Sequence, residues 1–137
     1  MEDRIMSDIR KYIETLKKHG IDILLAVIFG SFAKGTYGLG SDVDLFIVAR
    51  GLLEDFDERL KLLYLLNETE TVIDPKAYTP EEVEKMFAKG HLFLFELSEH
   101  GKVIYVGDDK YSKEFFRNLR ALKGRYKRIN NAWIRVV

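Results

Sequence analysis

Asp42 and Asp44 lie in SDVDLFIVA, a strand-like apolar run that they interrupt. Carboxylates there are costly unless something cationic compensates them. Residues i and i+2 of a strand share a face, so the pair projects together, roughly 6–7 Å apart along the chain. Val43, Leu45 and Ile47 then point the other way, into a core. Like charges this close disfavour joint ionisation. A hard divalent cation removes the conflict, and Mg²⁺ takes oxygens from one or two carboxylates together with substrate phosphates. Two such ions ~3.5–4 Å apart form a clamp for in-line phosphoryl chemistry. Asp74, in ETVIDPKAY, is the candidate third carboxylate. Pro75 holds it extended and marks an edge strand or a strand end. Glu68 and Glu70 lie nearer the preceding helix end and read as solvated.

Upstream, Gly30-Ser31 closes the apolar run IDILLAVIFG where a helix would begin. Free backbone N–H groups and the Ser31 hydroxyl suit a phosphate oxygen, and Lys34, one helical turn on, adds positive charge. Metal carboxylates on one strand and a phosphate anchor on its neighbour make a nucleoside triphosphate site. Two familiar glycine motifs do not account for the loop. GSFAKGT has P-loop spacing, but Thr36-Tyr37 stand where Lys-Ser/Thr is required. Gly38-Leu39-Gly40 is followed by Val43 and a strand rather than a glycine and a helix. A surface loop whose glycines merely serve turns is the plain alternative, and it leaves the aspartates unexplained.

The elements that must position these groups follow from periodicity. Ile5, Ile9, Tyr12, Ile13 and Leu16 recur at helical spacing up to Gly20, and DVDLFIVA forms the second strand. Leu53, Phe56, Leu60, Leu63 and Leu66 make the next helical stripe, behind the acidic turn Glu54, Asp55, Asp57. TVIDPKAY is a third strand. TPEE opens a helix with Thr79 as N-cap and Glu82 completing a capping box. That helix breaks at Gly90, resumes to Gly101 and is followed by the strand KVIYVG. A last helix is expected from about Asp109 to Arg128, with Tyr111, Phe115, Leu119, Leu122 and Tyr126 on one face. NAWIRVV reads as a terminal strand or packed tail, with Trp133 against the body. The order predicts an α/β (α+β) fold, a small mixed sheet flanked by helices.

With 137 residues, 47% of them hydrophobic, the chain is expected to form one domain over 1–137, with a core at about 20–107 and a C-terminal helical extension at about 108–137. The absence of cysteine excludes disulfides, thiolate metal sites and a cysteine nucleophile. No stretch approaches the ~20 apolar residues of a membrane span, and the charged N-terminus lacks an apolar signal core, so a cytoplasmic location is expected. His19, His91 and His100 are too scattered to suggest a metal site. The zero net charge hides an asymmetry. Residues 110–137 hold nine of the 22 Lys and Arg and only one of the 22 acids, which leaves 13 bases and 21 acids in the first 109. A basic tail on an acidic body points to a polyanionic ligand or an acidic partner, or is simply a solvated basic face.

Gly30, Ser31, Ala33, Gly35, Ser41, Asp42, Asp44 and Leu45 form the pattern G-S-x-A-x-G…S-D-x-D-L. It resembles the minimal nucleotidyltransferases of archaea and bacteria, in the superfamily typified by DNA polymerase beta. The closely matched block runs from Gly30 to Val48. The resemblance implies a polymerase beta-like fold and transfer of a nucleoside monophosphate, AMP from ATP, to a hydroxyl with pyrophosphate leaving. It implies two Mg²⁺ ions on Asp42, Asp44 and Asp74, with Asp74 helping to activate the attacking hydroxyl. Nucleotide binding falls to Gly30, Ser31, Lys34 and Ser41. Phe32 departs from the arginine that many members carry, and Pro75 is a smaller departure.

The resemblance also implies an acceptor on a partner protein, because minimal nucleotidyltransferases are often antitoxins of small helical HEPN-type toxins. Transfer to a small molecule is one alternative. Transfer to an RNA end is another, with the basic C-terminal helix contacting RNA and Tyr126 and Trp133 stacking on bases. A non-catalytic nucleotide-binding or interaction module is the last.

Overall fold

The computed structural model describes residues 2–35, 42–129 and 132–136, without the side chains of Glu2, Ser31, Lys34 and Arg128. Helix α1 (Glu2–Lys18) carries the expected stripe, and Ile5, Ile9, Tyr12, Ile13 and Leu16 are all buried. It ends at Gly20, whose φ of 85° favours glycine. Strand β1 (Asp22–Phe29) leads into the short α2 (Gly30–Lys34), and β2 (Val43–Arg50) returns antiparallel to β1. Helix α3 (Phe56–Leu65) then carries the chain to β3 (Ile73–Tyr78), parallel to β2. Helices α4 (Pro80–Lys89) and α5 (Leu92–His100) precede β4 (Lys102–Val106), which lies on the other side of β1. The mixed sheet has the order β3-β2-β1-β4.

Helices cover both faces, so the central strands are apolar nearly throughout. Ala26 and Ile28 of β1 and Val43, Leu45 and Ile47 of β2 pack with α1, Leu63 and Leu66. The alternate residues, Leu25, Val27, Phe29, Phe46 and Val48, pack with α4, α5 and α6 (Asp109–Gly124). Period-two alternation thus places Asp44 on the α4–α6 side, at the start of β2.

Caps fix the helix starts. Thr79 and Glu82 form the expected capping box, and Gly90 ends α4 in the left-handed region. Asp55 is the N-cap of α3, accepting from the Glu58 N–H.

Two expectations need correction. The α3 stripe is buried only at Leu63 and Leu66, whereas Leu53, Phe56 and Leu60 are exposed. The inward position is taken by Arg59, 3% exposed. Its guanidinium donates to Glu82 Oε1 at 2.8 Å and Oε2 at 3.1 Å, to the Leu53 carbonyl at 2.7 Å and to the Ala77 carbonyl at 3.1 Å. A cation that fully satisfied can be buried, and it ties α3 to β3 and to the start of α4.

The last helix stops at Gly124 rather than Arg128. Tyr126 belongs instead to β5 (Tyr126–Ile129), which pairs antiparallel with β6 (Ala132–Arg135), so the terminal-strand reading of NAWIRVV holds. Phe95 explains the turn. Trp133 stacks on it with ring centroids 4.4 Å apart, and Tyr126 meets it edge-on at 5.0 Å. These contacts favour the turn over one more turn of helix and draw Tyr126 and Trp133 against the body.

Candidate active site

The strand register assembles the carboxylates. Asp44 is paired with Phe29 on one side and with Asp74 on the other, so residues thirty apart in sequence become lateral neighbours. Adjacent strands lie ~4.8 Å apart. Asp42 immediately precedes β2, and its charge is felt by Asp44. Strand β3 is an edge strand, as Pro75 suggested. The Val43 N–H donates to the Val72 carbonyl at 2.9 Å, so the even-numbered residues of β3 turn their main chain toward β2. Pro75, lacking an N–H, faces outward, where it costs the ladder nothing.

Gly30 sits where β1 passes into α2, next to Asp44. Its φ is 73°, and a Cβ there would overlap the Asp44 carboxylate. Glycine is required twice over, by the left-handed backbone and by the close approach. Ser31 and Lys34 lie within α2, but their side chains are outside the described residues, as is Ser41 altogether. Phe32 packs against the core cluster on the α1 side.

Burial raises the Asp44 pKa above the ordinary aspartate value, and the negative charge of Asp74 adds to this. The charge of Lys76 opposes them, and a hydrogen bond with Asp74 and the charge of Asp42 add smaller pushes upward. Asp74 is engaged on both oxygens: Tyr64 donates its phenol to Oδ1 at 2.6 Å, and the Lys76 ammonium lies 3.4 Å from Oδ2. The bond to Asp74 is the main reason the Tyr64 pKa is pushed up to about 12, with burial and the charges of the other two aspartates helping.

Neither Tyr64 nor Lys76 stood out in the sequence. Lys76 could have been found, since it follows Asp74 at the i+2 spacing that defines one strand face. Tyr64 had no such signal, because only the return of the chain from α3 to β3 brings it to Asp74.

An oxygen-only set whose like charge is only partly relieved, by Lys76, fits a hard divalent cation. Among the described residues no three His, Asp or Glu side chains are gathered closely enough to hold an ion as they stand. Asp74 faces Tyr64 and Lys76 instead. A cation would take the place of Lys76.

Residues 10–110 match the family described as Polymerase beta, Nucleotidyltransferase. The chain belongs to that family. It is a nucleotidyltransferase. A Methanocaldococcus jannaschii protein described as a candidate protein adenylyltransferase is 25% identical over 141 residues, covering 94% of this nucleotidyltransferase and 90% of the relative. Among solved structures, a toxin–antitoxin complex with AMP-PNP contains a chain that superposes with a TM-score of 0.59 at 16% identity, with 85% of each chain covered. A chain from the complex of a tri-AMPylated Shewanella oneidensis HEPN toxin with an MNT antitoxin gives 0.50 at 14% identity, covering 84% of this chain and 82% of that one. These likenesses establish a shared fold.

No helix among the described residues is long and apolar enough to cross a membrane.

Proposed function

We propose that this nucleotidyltransferase moves AMP from ATP to a hydroxyl on a partner protein, a small helical toxin of the HEPN type, and so acts as its antitoxin. The observation that carries the reading is the pairing of Asp44 with Asp74 on adjacent strands, with Gly30 closed against Asp44. The adenylyltransferase description of the relative and the toxin–antitoxin complexes among the fold neighbours support AMP as the group and a protein as the acceptor.

Asp42, Asp44 and Asp74 would hold two Mg²⁺ ions, which when bound supply charge neutralisation and orient the triphosphate. Gly30, Ser31, Lys34 and Ser41 would bind the phosphates. Asp74 Oδ1 already accepts from a phenol at 2.6 Å, which puts it within reach of an acceptor proton. The acceptor oxygen bonds to the α-phosphorus, the bond from that phosphorus to the β-phosphate bridging oxygen breaks, and pyrophosphate leaves.

The test is incubation with ATP labelled at the α-phosphate and Mg²⁺, with and without the protein encoded by the neighbouring gene. Label on that protein is expected. Label only on an RNA end or a small molecule would replace this reading with the corresponding alternative.

A further inference from the structure

Tyr64 has a geometry that its place in α3 does not require. The residue is 45% exposed, yet its hydroxyl is turned onto Asp74. The 2.6 Å contact lies at the short end of the range across which a general base takes a proton from a hydroxyl.

Several contacts hold the phenol there. The adjacent residue is anchored by Tyr12, whose hydroxyl donates to the Leu63 carbonyl at 2.7 Å. The turn from α3 into β3 is tied internally. Asn67 Oδ1 accepts from the Thr69 N–H at 3.0 Å, and the Asn67 amide donates to the Thr71 carbonyl at 2.8 Å. Lys76 takes the other oxygen of Asp74, which leaves Oδ1 to the phenol. The phenol therefore occupies the position, relative to the third carboxylate, that an incoming acceptor hydroxyl must reach. Among the described tyrosines no other is hydrogen-bonded to Asp42, Asp44 or Asp74, and Tyr12 is buried.

We propose that Tyr64 is itself an acceptor, and that without a partner the protein transfers AMP from ATP to its own Tyr64 phenol. This rests on the nucleotidyl-transfer reading above. In the step, Tyr64 Oη forms a bond to the α-phosphorus of ATP while the bond from that phosphorus to the β-phosphate bridging oxygen breaks. The phenol proton passes to Asp74 Oδ1, and pyrophosphate departs. The product is a tyrosyl phosphodiester that can no longer donate to Asp74, so the reaction stops at one AMP per chain. Holding nucleophile and base together in advance is the kind of positioning that makes an intramolecular transfer fast. A partner hydroxyl must displace the Tyr64 phenol to reach Asp74, so partner and self compete for one AMP.

The purified full-length chain is incubated with ATP and Mg²⁺ and no other protein, then read by intact mass and peptide mapping. A single adenylyl adduct on the Tyr64 peptide is expected, absent from Tyr64→Phe. Calorimetry on the wild-type chain with Mg²⁺ and a non-hydrolysable ATP analogue supplies a second readout, with saturable nucleotide binding expected. An adduct on another residue, or one that persists in Tyr64→Phe, overturns the proposal. Nucleotide binding without any adduct also overturns it and leaves the proposed function standing. No nucleotide binding at all overturns both.

Discussion

Two charged clusters lie along β3 and are built on opposite principles. Near its C-terminal end, Arg59 and Glu82 neutralise each other, and the Arg59 hydrogen bonds end on Glu82 and on the Leu53 and Ala77 carbonyls. Glu82 also accepts from the Thr79 N–H at 2.7 Å. Near the N-terminal end, three carboxylates share the neighbourhood with one lysine at 3.4 Å. A pair that serves architecture is satisfied from within the chain. A cluster whose like charges are only partly relieved is a candidate place for something from outside. The contrast separates the two kinds of site better than charge or burial alone.

The largest expected effect is on chemistry. Replacing both Asp42 and Asp44 by asparagine should lower nucleotidyl transfer by at least ~10³-fold, on the scale of losing a principal electrostatic group. The circular dichroism spectrum should stay unchanged, because neither side chain belongs to a core cluster. Transfer that survives this double change would break the contrast at its active end.

Next in size is the closed cluster. Arg59→Met should cost about 3 kcal/mol in a urea titration, because it strands Glu82 and leaves the Leu53 and Ala77 carbonyls without their donor. A loss under ~1 kcal/mol would show that the clamp is merely tolerated.

Asp44→Asn should act the opposite way. In metal-free buffer it should stabilise the fold by about 0.5–1 kcal/mol, because it removes a like charge beside Asp74. Magnesium with nucleotide should raise the melting temperature of the wild type but not of this variant.

The smallest effect is on pH dependence, and its sign differs between the clusters. Burial works against Glu82, but hydrogen bonds from Arg59 and the Thr79 main chain outweigh it and hold its pKa below the ordinary value. Its contribution is therefore fully present above the unfolded glutamate pKa and is lost as pH falls through the folded one. The Asp44 pKa is raised, so the folded state binds that proton more tightly, and stability falls as pH rises from the unfolded aspartate value through the folded one. Urea midpoints across the acid range should therefore decline less steeply on the acid side in Arg59→Met, and should lose the opposing Asp44 component in Asp44→Asn.

The candidate active end was more legible in the sequence than the structural end, for a physical reason. Asp42 and Asp44 are i and i+2 in one strand, and Gly30-Ser31 ends the strand before it, so local spacing alone places them. Asp74 was read from its apolar flanks and from Pro75, and the edge position of β3 agrees. The apolar stripe assigned to α3 misled because periodicity reports only which side chains are greasy. Arg59 enters the interior on the strength of four oxygens, among them those of Ala77 and Glu82, that the tertiary fold gathers around it. The over-long last helix failed likewise, since the pull on Tyr126 and Trp133 comes from Phe95 in α5.

The sequence by itself determined the alternating strands, the capped helices, the glycine at the β1–α2 junction and the three aspartates. All of these depend on residues close in the chain, where backbone geometry fixes direction. Only the tertiary structure decided that Asp74 would stand beside Asp44, that Tyr64 and Lys76 would occupy it, and that a buried arginine would lock α3 to α4. Those outcomes depend on strand register and helix crossover, which bring together groups whose separation along the chain carries no trace of their separation in space.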